Sequence, residues 1–367
     1  MDKKIDIIIP VYKAHDVLGR ALDSLKYQTS ADKLQVTLVN DCCPEGDYAD
    51  FVEQYSSFFA IQELYMKENS GPGYSRQYGV DNTTCEYFFF LDADDMLMNP
   101  FGIQMLLETM DDYPGVAMVF APVCEQNQDG GMVYNDCDMT WAFGRIFRRS
   151  FMSQRNIRFI TSRSNEDVLY LLLLRLILVD VPNSVRLLQQ PIYAKMYNPT
   201  SICNVNNQEF EHDYNLVGYV NSTILACLLG RYYHCNSKEI EDIAFNGLLL
   251  LWMSYNQVLA KCPDLERQSW ENMKKYYNCL RDIINYDPQD KTVNLKVVSF
   301  LKDYYAESDN RRTPYAMTIG LEDFYSKLIG EEYDPKTLIE MYGDAPENQY
   351  KLQDELLLQE IRRGMNE

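Results

Sequence analysis

The chain has 367 residues, 46% of them hydrophobic and 28 of them tyrosine, so it can bury a substantial core and does not read as a disordered protein. Its formal charge of −20 argues against wrapping bare nucleic acid or lying on an anionic membrane, and an anionic small molecule would need a local cation to bind. The ten cysteines show no CxxC pair and no zinc-type spacing, which predicts free or buried thiols in a reducing, cytoplasmic setting.

Met1 to Lys4 lead straight into a β-branched run, Ile5 to Ile9, stopped by Pro10, so no signal peptide is expected. Val17 to Tyr27 has helical spacing, Gln35 to Val39 reads as a strand and Tyr48 to Tyr55 as a helix. Ile61 to Met66 is a third strand, Tyr74 to Val80 a helix, and Glu86 to Leu91 a fourth strand. This alternation, with continuously apolar strands, predicts an α/β fold with a mostly parallel sheet buried on both faces. Ala117 to Val123 and Phe143 to Phe147 read as strands, and Glu125 to Thr140 as a loop or hairpin. The longest apolar stretch, Leu169 to Val181, carries Arg175 and Asp180 and is read as a buried helix, not a membrane span. Tyr219–Leu229, Ile240–Tyr255 and Leu352–Arg363 are helical without further alternation. The division expected is an α/β domain over 1–204 and a helical C-terminal region over 205–367.

In an open parallel sheet the carboxyl ends of the strands face one crevice. Here those ends are Pro10-Val11-Tyr12, Asn40-Asp41, the glycine turn Asn69 to Gly73 ahead of Arg76, and Asp92-Ala93-Asp94-Asp95. Three carboxylates in four residues repel one another, and a divalent cation with oxygen ligands relieves that cost. The same acids also suit a solvated turn that caps a helix over Met96 to Met98. Asn165 suits a helix N-cap, and Glu166 and Asp167 suit the positive end of that helix's dipole.

The segments "IDIIIPVYKAHDVLGRALDSL", "VTLVNDCCPEG", "NSGPGYSRQYGV" and "YFFFLDADD" resemble, in order and spacing, the motifs of family 2 glycosyltransferases of the GT-A fold, over about residues 4 to 202. The resemblance implies an inverting, metal-dependent hexosyl- or N-acetylhexosaminyl-transferase with a DxD motif. Pro10, Val11 and Tyr12 would line the nucleoside pocket, with Asp41 accepting from the base, usually uracil N3–H. Asn69, Gly71 and Gly73 would let the backbone approach the nucleotide, and Arg76 would reach base or phosphates. Asp92 would touch ribose or metal, and Asp94 would hold the Mn²⁺ or Mg²⁺ that bridges the diphosphate of a UDP-sugar. "SNEDVLY" resembles the motif that supplies the base, Asp167, beside Glu166, and the helix dipole would keep Asp167 ionised. "MTWAFGRIFRRSFMSQRNIRF" resembles the acceptor side, with Trp141 as a stacking platform and Arg145 toward phosphate or acceptor. Trp141 equally suits the core, and Arg145 the surface. Arg145, Arg148, Arg149, Arg155 and Arg158 form a basic cluster suited to an anionic donor or acceptor. "YAKMYNPTSIC" resembles the segment that closes over the diphosphate, and His212 is a candidate third metal ligand or an ordinary surface histidine.

The QxxRW motif and membrane helices of processive members are missing, which favours addition of one or a few sugars in bacterial-type surface glycan or glycoconjugate assembly. The acceptor is open among glycan, lipid-linked carrier and protein. A nucleotidyltransferase would be expected to carry a glycine-rich basic loop after the first strand, and "PVYKAHD" has no glycine. The helical C-terminal region also fits a docking or homo-oligomerising module.

Overall fold

The computed structural model describes residues 4–135, 141–159, 165–201, 218–284 and 318–331, with 336, 337 and 341. The chain divides into two compact units, one of residues 1–174 with 181–205, the other of 175–180 with 206–367.

The first unit is built on seven strands in the order β10-β6-β9-β4-β1-β2-β3. They are β1 (Ile5–Val11), β2 (Leu34–Asn40), β3 (Ala60–Tyr65), β4 (Tyr87–Phe90), β6 (Met118–Phe120), β9 (Arg145–Arg148) and β10 (Val185–Leu187). β1 pairs in parallel with β2 and with β4, β2 with β3, and β6 with β10. Only β9, between β4 and β6, runs antiparallel to its neighbours. The chain steps outward from β1 to β3, then returns to place β4 on the other side of β1. That reversal opens a crevice at the carboxyl ends of β1 and β4.

β4 shows why three phenylalanines run together. Every residue of Tyr87–Phe90 is buried, because both faces of the sheet are covered. Phe88 stacks on Phe147 at 5.2 Å, while Phe90 meets the edge of Phe159 at 5.3 Å. The helices α1 (Leu18–Lys26), α2 (Ala49–Tyr55) and α3 (Pro72–Asp81) follow β1, β2 and β3 respectively, and α4 (Gly102–Asp112) comes between β4 and β6. α3 lies so close to β1 that a Cβ on Gly79 would meet Ile8 Cγ2 at 2.5 Å.

A second sheet, order β5-β11-β7-β8, was not expected. It comprises β5 (Met96–Leu97), β11 (Tyr193–Lys195), β7 (Val123–Gln126) and β8 (Met132–Asn135). Two expectations change as a result. Met96–Leu97 is a strand, not the start of a helix capped by Asp. Ala117 to Val123 is not one strand. Pro122, which has no N–H to give a ladder, separates β6 from β7, and the two join different sheets. The hairpin expected after Glu125 is β7 with β8. Two more helices follow, α5 (Arg149–Gln154) and α6 (Glu166–Val179).

The second unit packs α7 (Tyr219–Tyr232), α8 (Ser237–Lys261), α9 (Glu266–Ile283) and α10 (Leu321–Ile329). Asn236 caps α8 by accepting from the backbone N–H of Lys238 and Glu239. The indole of Trp252 donates to the Ile319 carbonyl at 2.9 Å, and Trp270 meets the edge of Phe324. Among the described residues, α8 alone is long and apolar enough to cross a membrane by length and composition, and 61% of that stretch is buried in the fold. Leu352–Arg363 lies outside the described residues.

Candidate functional site

At the end of β1, Val11 is fully buried, so its side chain belongs to the core and does not line a pocket. What it offers is its carbonyl, which accepts from Asp41 N at 3.1 Å. Pro10 is partly buried in the strand, and Tyr12 projects outward, 44% exposed. At the end of β2, the buried Asp41 carboxylate accepts Ser70 N at 2.8 Å and Gly71 N at 2.9 Å. Burial raises its pKa, and those two N–H groups pull it back. Asp41 therefore fixes the glycine turn ahead of α3. Within that turn Gly71 takes φ 87°, a conformation costly for any side chain, while Asn69 stays exposed and Gly73 is buried in the first turn of α3.

Arg76 is 6% exposed and held between two acids, so it is not a surface charge. Its Nη2 donates to Asp92 Oδ1 at 2.7 Å and its Nη1 to Glu166 Oε1, while the guanidinium sits 5.9 Å from the centre of the Phe159 ring. A charge this deeply buried needs such compensation. Arg76 thus joins the acids after β4 to the acids that open α6.

The three aspartates after β4 have separate fates. Asp95 is buried, and its oxygens are taken by the Tyr193 hydroxyl at 2.6 Å and Met196 N at 2.8 Å. Burial first, then Asp92 and Asp94, hold its pKa well above the ordinary value. Asp95 anchors β11. Asp94 Oδ2 accepts from the Asn198 side-chain amide at 2.8 Å, and the Asp94 carbonyl accepts from Arg20. Its pKa is raised mainly by burial, with Asp92 adding to the shift. Asp92 and Asp94 each keep a second carboxylate oxygen, an all-oxygen donor set of the kind Mg²⁺ and Mn²⁺ prefer. His212 lies outside the described residues.

Glu166 and Asp167 open α6. Asn165 has φ 55°, not the extended backbone usual for an N-cap. The expectation that the dipole keeps Asp167 ionised is reversed. Burial, followed by Glu166, pushes its pKa up to about 8, and Arg76 only partly offsets them. Trp141 stacks on Phe143 at 5.2 Å, and Phe143 stacks on Tyr193 at 4.7 Å. Lys195 lies over the Trp141 ring. An aromatic ladder therefore links Trp141 to the residue that holds Asp95.

The basic cluster is mostly structural. Arg145 is buried, its Nε giving to the Trp141 carbonyl at 2.6 Å, so the surface reading fails. Arg148 is spent on Glu86 and the carbonyls of Val116 and Met110, and Arg149 on Asp6, Thr83 and the carbonyls of Cys85 and Val80. Arg158 pairs with Asp81, and Arg155 covers Phe151. Cys42, Cys43, Cys124, Cys227, Cys235 and Cys279 are free thiols. Sequence reasoning missed Arg20, Tyr193 and Asn198, since each meets its aspartate only through the tertiary fold.

Residues 6–164 match the family model for glycosyl transferase family 2. An uncharacterized glycosyltransferase of Haemophilus influenzae is 28% identical over 127 residues, covering 34% of this chain and 41% of that protein. A teichoic acid poly(glycerol phosphate) polymerase of Staphylococcus epidermidis is 26% identical over 236 residues, covering 60% of this chain and 32% of that protein. The chain thus spans well under two thirds of the length of these relatives. The crystal structure of S. aureus TarS 1-349 in complex with UDP-GlcNAc is similar in fold. Its TM-score is 0.60 at 15% identity, over 84% of this chain and 93% of that one. A parallel sheet reversing beside β1, an acid triplet after β4 and a family match across both make the N-terminal unit a family 2 glycosyltransferase domain of the GT-A fold.

Proposed function

We propose that the chain transfers a hexosyl or N-acetylhexosaminyl group from a UDP-sugar to an acceptor hydroxyl, with inversion, in surface glycan assembly. The observation that carries this reading is the Arg76 bridge, which brings Asp92 of the acid triplet and Glu166 of the α6 pair to one guanidinium. Metal-side and base-side carboxylates then flank one crevice. A neighbour of the same fold bound to UDP-GlcNAc and a relative named for teichoic acid support the donor and pathway class.

In this reading Tyr12 covers the base and the Asp41-held turn brings backbone N–H groups to the nucleotide. Asp92 and Asp94 would hold a divalent cation, which when bound would supply the charge that neutralises the departing diphosphate. Asn198 orients Asp94, and Asp95 with Tyr193 fixes the strand beneath. Asp167 takes the acceptor proton as the hydroxyl attacks the anomeric carbon from the face opposite the leaving group. Trp141 stacks against the acceptor.

UDP release from UDP-sugars is measured with Mn²⁺, with Mg²⁺ and with chelator. Turnover is expected only with a cation. Asp167→Asn is expected to lower kcat by about 10²–10⁴-fold, the usual contribution of a positioned base. Asp94→Ala should remove the cation dependence together with the rate. Undiminished turnover in both variants would refute the assignment, and a product of retained anomeric configuration would refute inversion.

A further inference from the structure

A second cluster of ligand-type side chains, none of them from the acid triplet or the α6 pair, lies where the loop after β1 meets the loop after β2. A ring nitrogen of His15, Cys43 Sγ and a Glu45 carboxylate oxygen all lie within 4.8 Å of one another. We propose that these three residues form a zinc site, distinct from the Asp92–Asp94 pair.

The tautomer of His15 is set by its surroundings. Nε2 lies 2.9 Å from the Asp47 carbonyl, and a carbonyl can only accept, so Nε2 carries a proton. In the neutral ring the lone pair then sits on Nδ1. A ligating histidine is usually oriented this way, its second nitrogen donating to a carbonyl. Nδ1 is itself buried and has no hydrogen-bond partner. It faces Glu45 Oε2 at 3.5 Å. That separation is long for a hydrogen bond and close to the edge of a zinc tetrahedron, about 3.3 Å for bonds of about 2.0–2.1 Å. A lone pair aimed at a carboxylate is repulsive, and a cation between them turns the repulsion into two bonds.

The sulfur is held in place as well: Cys43 Sγ accepts from Lys13 N at 3.2 Å and from the Tyr48 hydroxyl at 3.6 Å. The His15 ring is held flat on Tyr48, 4.1 Å between centroids and 12° from parallel. Asn40 shapes the second loop by accepting Cys43 N at 2.8 Å and donating to the Gly46 carbonyl at 3.1 Å. One nitrogen, one sulfur and one carboxylate oxygen suit borderline-soft Zn²⁺ better than Mg²⁺ or Mn²⁺, which take oxygen donors. Glu45 is exposed, so the site opens to solvent and water can complete the shell. The metal would fasten the Tyr12 loop to the Asp41 loop. The inference does not depend on the identity of the sugar donor.

The test uses the full chain, stripped with chelator and titrated with Zn²⁺ alone, then with Co²⁺ as a spectroscopic substitute. One tight equivalent of Zn²⁺ is expected, together with a thiolate-to-cobalt charge-transfer band. Cys43→Ser should abolish the band and weaken Zn²⁺ by about tenfold or more. Glu45→Gln, at an exposed position safe for folding, should weaken it comparably while circular dichroism stays unchanged. Cys42→Ser and Asp94→Asn should both keep the band. The site is refuted by a cobalt complex lacking the thiolate band, by a Glu45→Gln protein that binds Zn²⁺ as the parent does, or by loss of the band in Cys42→Ser.

Discussion

At the scale of single residues, Asp167 separates two forces that act on the same carboxylate. A helix N-terminus favours the anion by a few tenths of a kcal/mol to about 1 kcal/mol, but only while solvent and screening are modest opponents. Burial and Glu166 oppose it here and prevail, and the pKa stands at about 8. As the base, Asp167 works only when deprotonated. The rate of transfer should therefore climb with pH through the neutral range, where an ordinary aspartate would give no inflection above pH 5. A pH profile of kcat/KM measures this, and Asp167→Asn should flatten the limb. The acids were legible in the sequence because they sit in local runs, Asp92 to Asp95 and Glu166-Asp167. Their partners were not: Tyr193 meets Asp92 and Asp95 across about a hundred residues, and Arg20 meets Asp94 across 74. No spacing rule reports a contact made only once the sheet has closed. Arg76 was visible as a residue, but its seat between Asp92 and Glu166 was not, because only the fold brings those two acids to one guanidinium.

At the scale of elements, the long buried pieces were readable and the short ones were not. β1 and β2 are long, continuously apolar runs and α1 buries Leu18, Ala21, Leu22 and Leu25 at helical spacing, enough for each to declare itself. β5 has two residues and β6 three, too few for any period, so the second sheet could not be read. Gly79 shows what the pattern conceals. In the sequence it is a helix-weakening residue in the middle of α3. In the fold it lets the helix approach β1, since a Cβ there would sit 2.5 Å from Ile8 Cγ2 and 3.1 Å from Val39 Cγ2. Gly79→Ala should improve helix propensity and still destabilise the protein, by about 1–3 kcal/mol as overpacking does. Denaturant unfolding followed by tryptophan fluorescence checks the sign. A more stable variant would mean that α3 can retreat without cost.

At the scale of the whole molecule, charge governs the response to pH. Asp41, Asp94, Asp95 and Asp167 all have folded pKa values raised above the 3.8 of a free aspartate, with burial the first cause in each. Between pH 3.8 and about 8 these four groups hold more protons in the native state than in the unfolded chain, and their contribution to stability falls as pH rises through that window. The formal charge of −20 pushes in the same direction. The chelator-treated protein should melt at a higher temperature at pH 6 than at pH 8. Mn²⁺ or Mg²⁺ should raise the pH 8 value more, because it binds the folded carboxylates in their ionised form. Equal melting temperatures at the two pH values would show that the acids relax into solvent. The order of the seven-stranded sheet has its own consequence for synthesis. β1 is made first yet lies between β2 and β4, so a nascent chain that has emerged only through β3 carries Ile5–Val11 with one edge bare. Until Tyr87–Phe90 leaves the ribosome, that apolar rim is open to any passing strand, and the interval makes translation speed and chaperone cover part of this protein's folding problem.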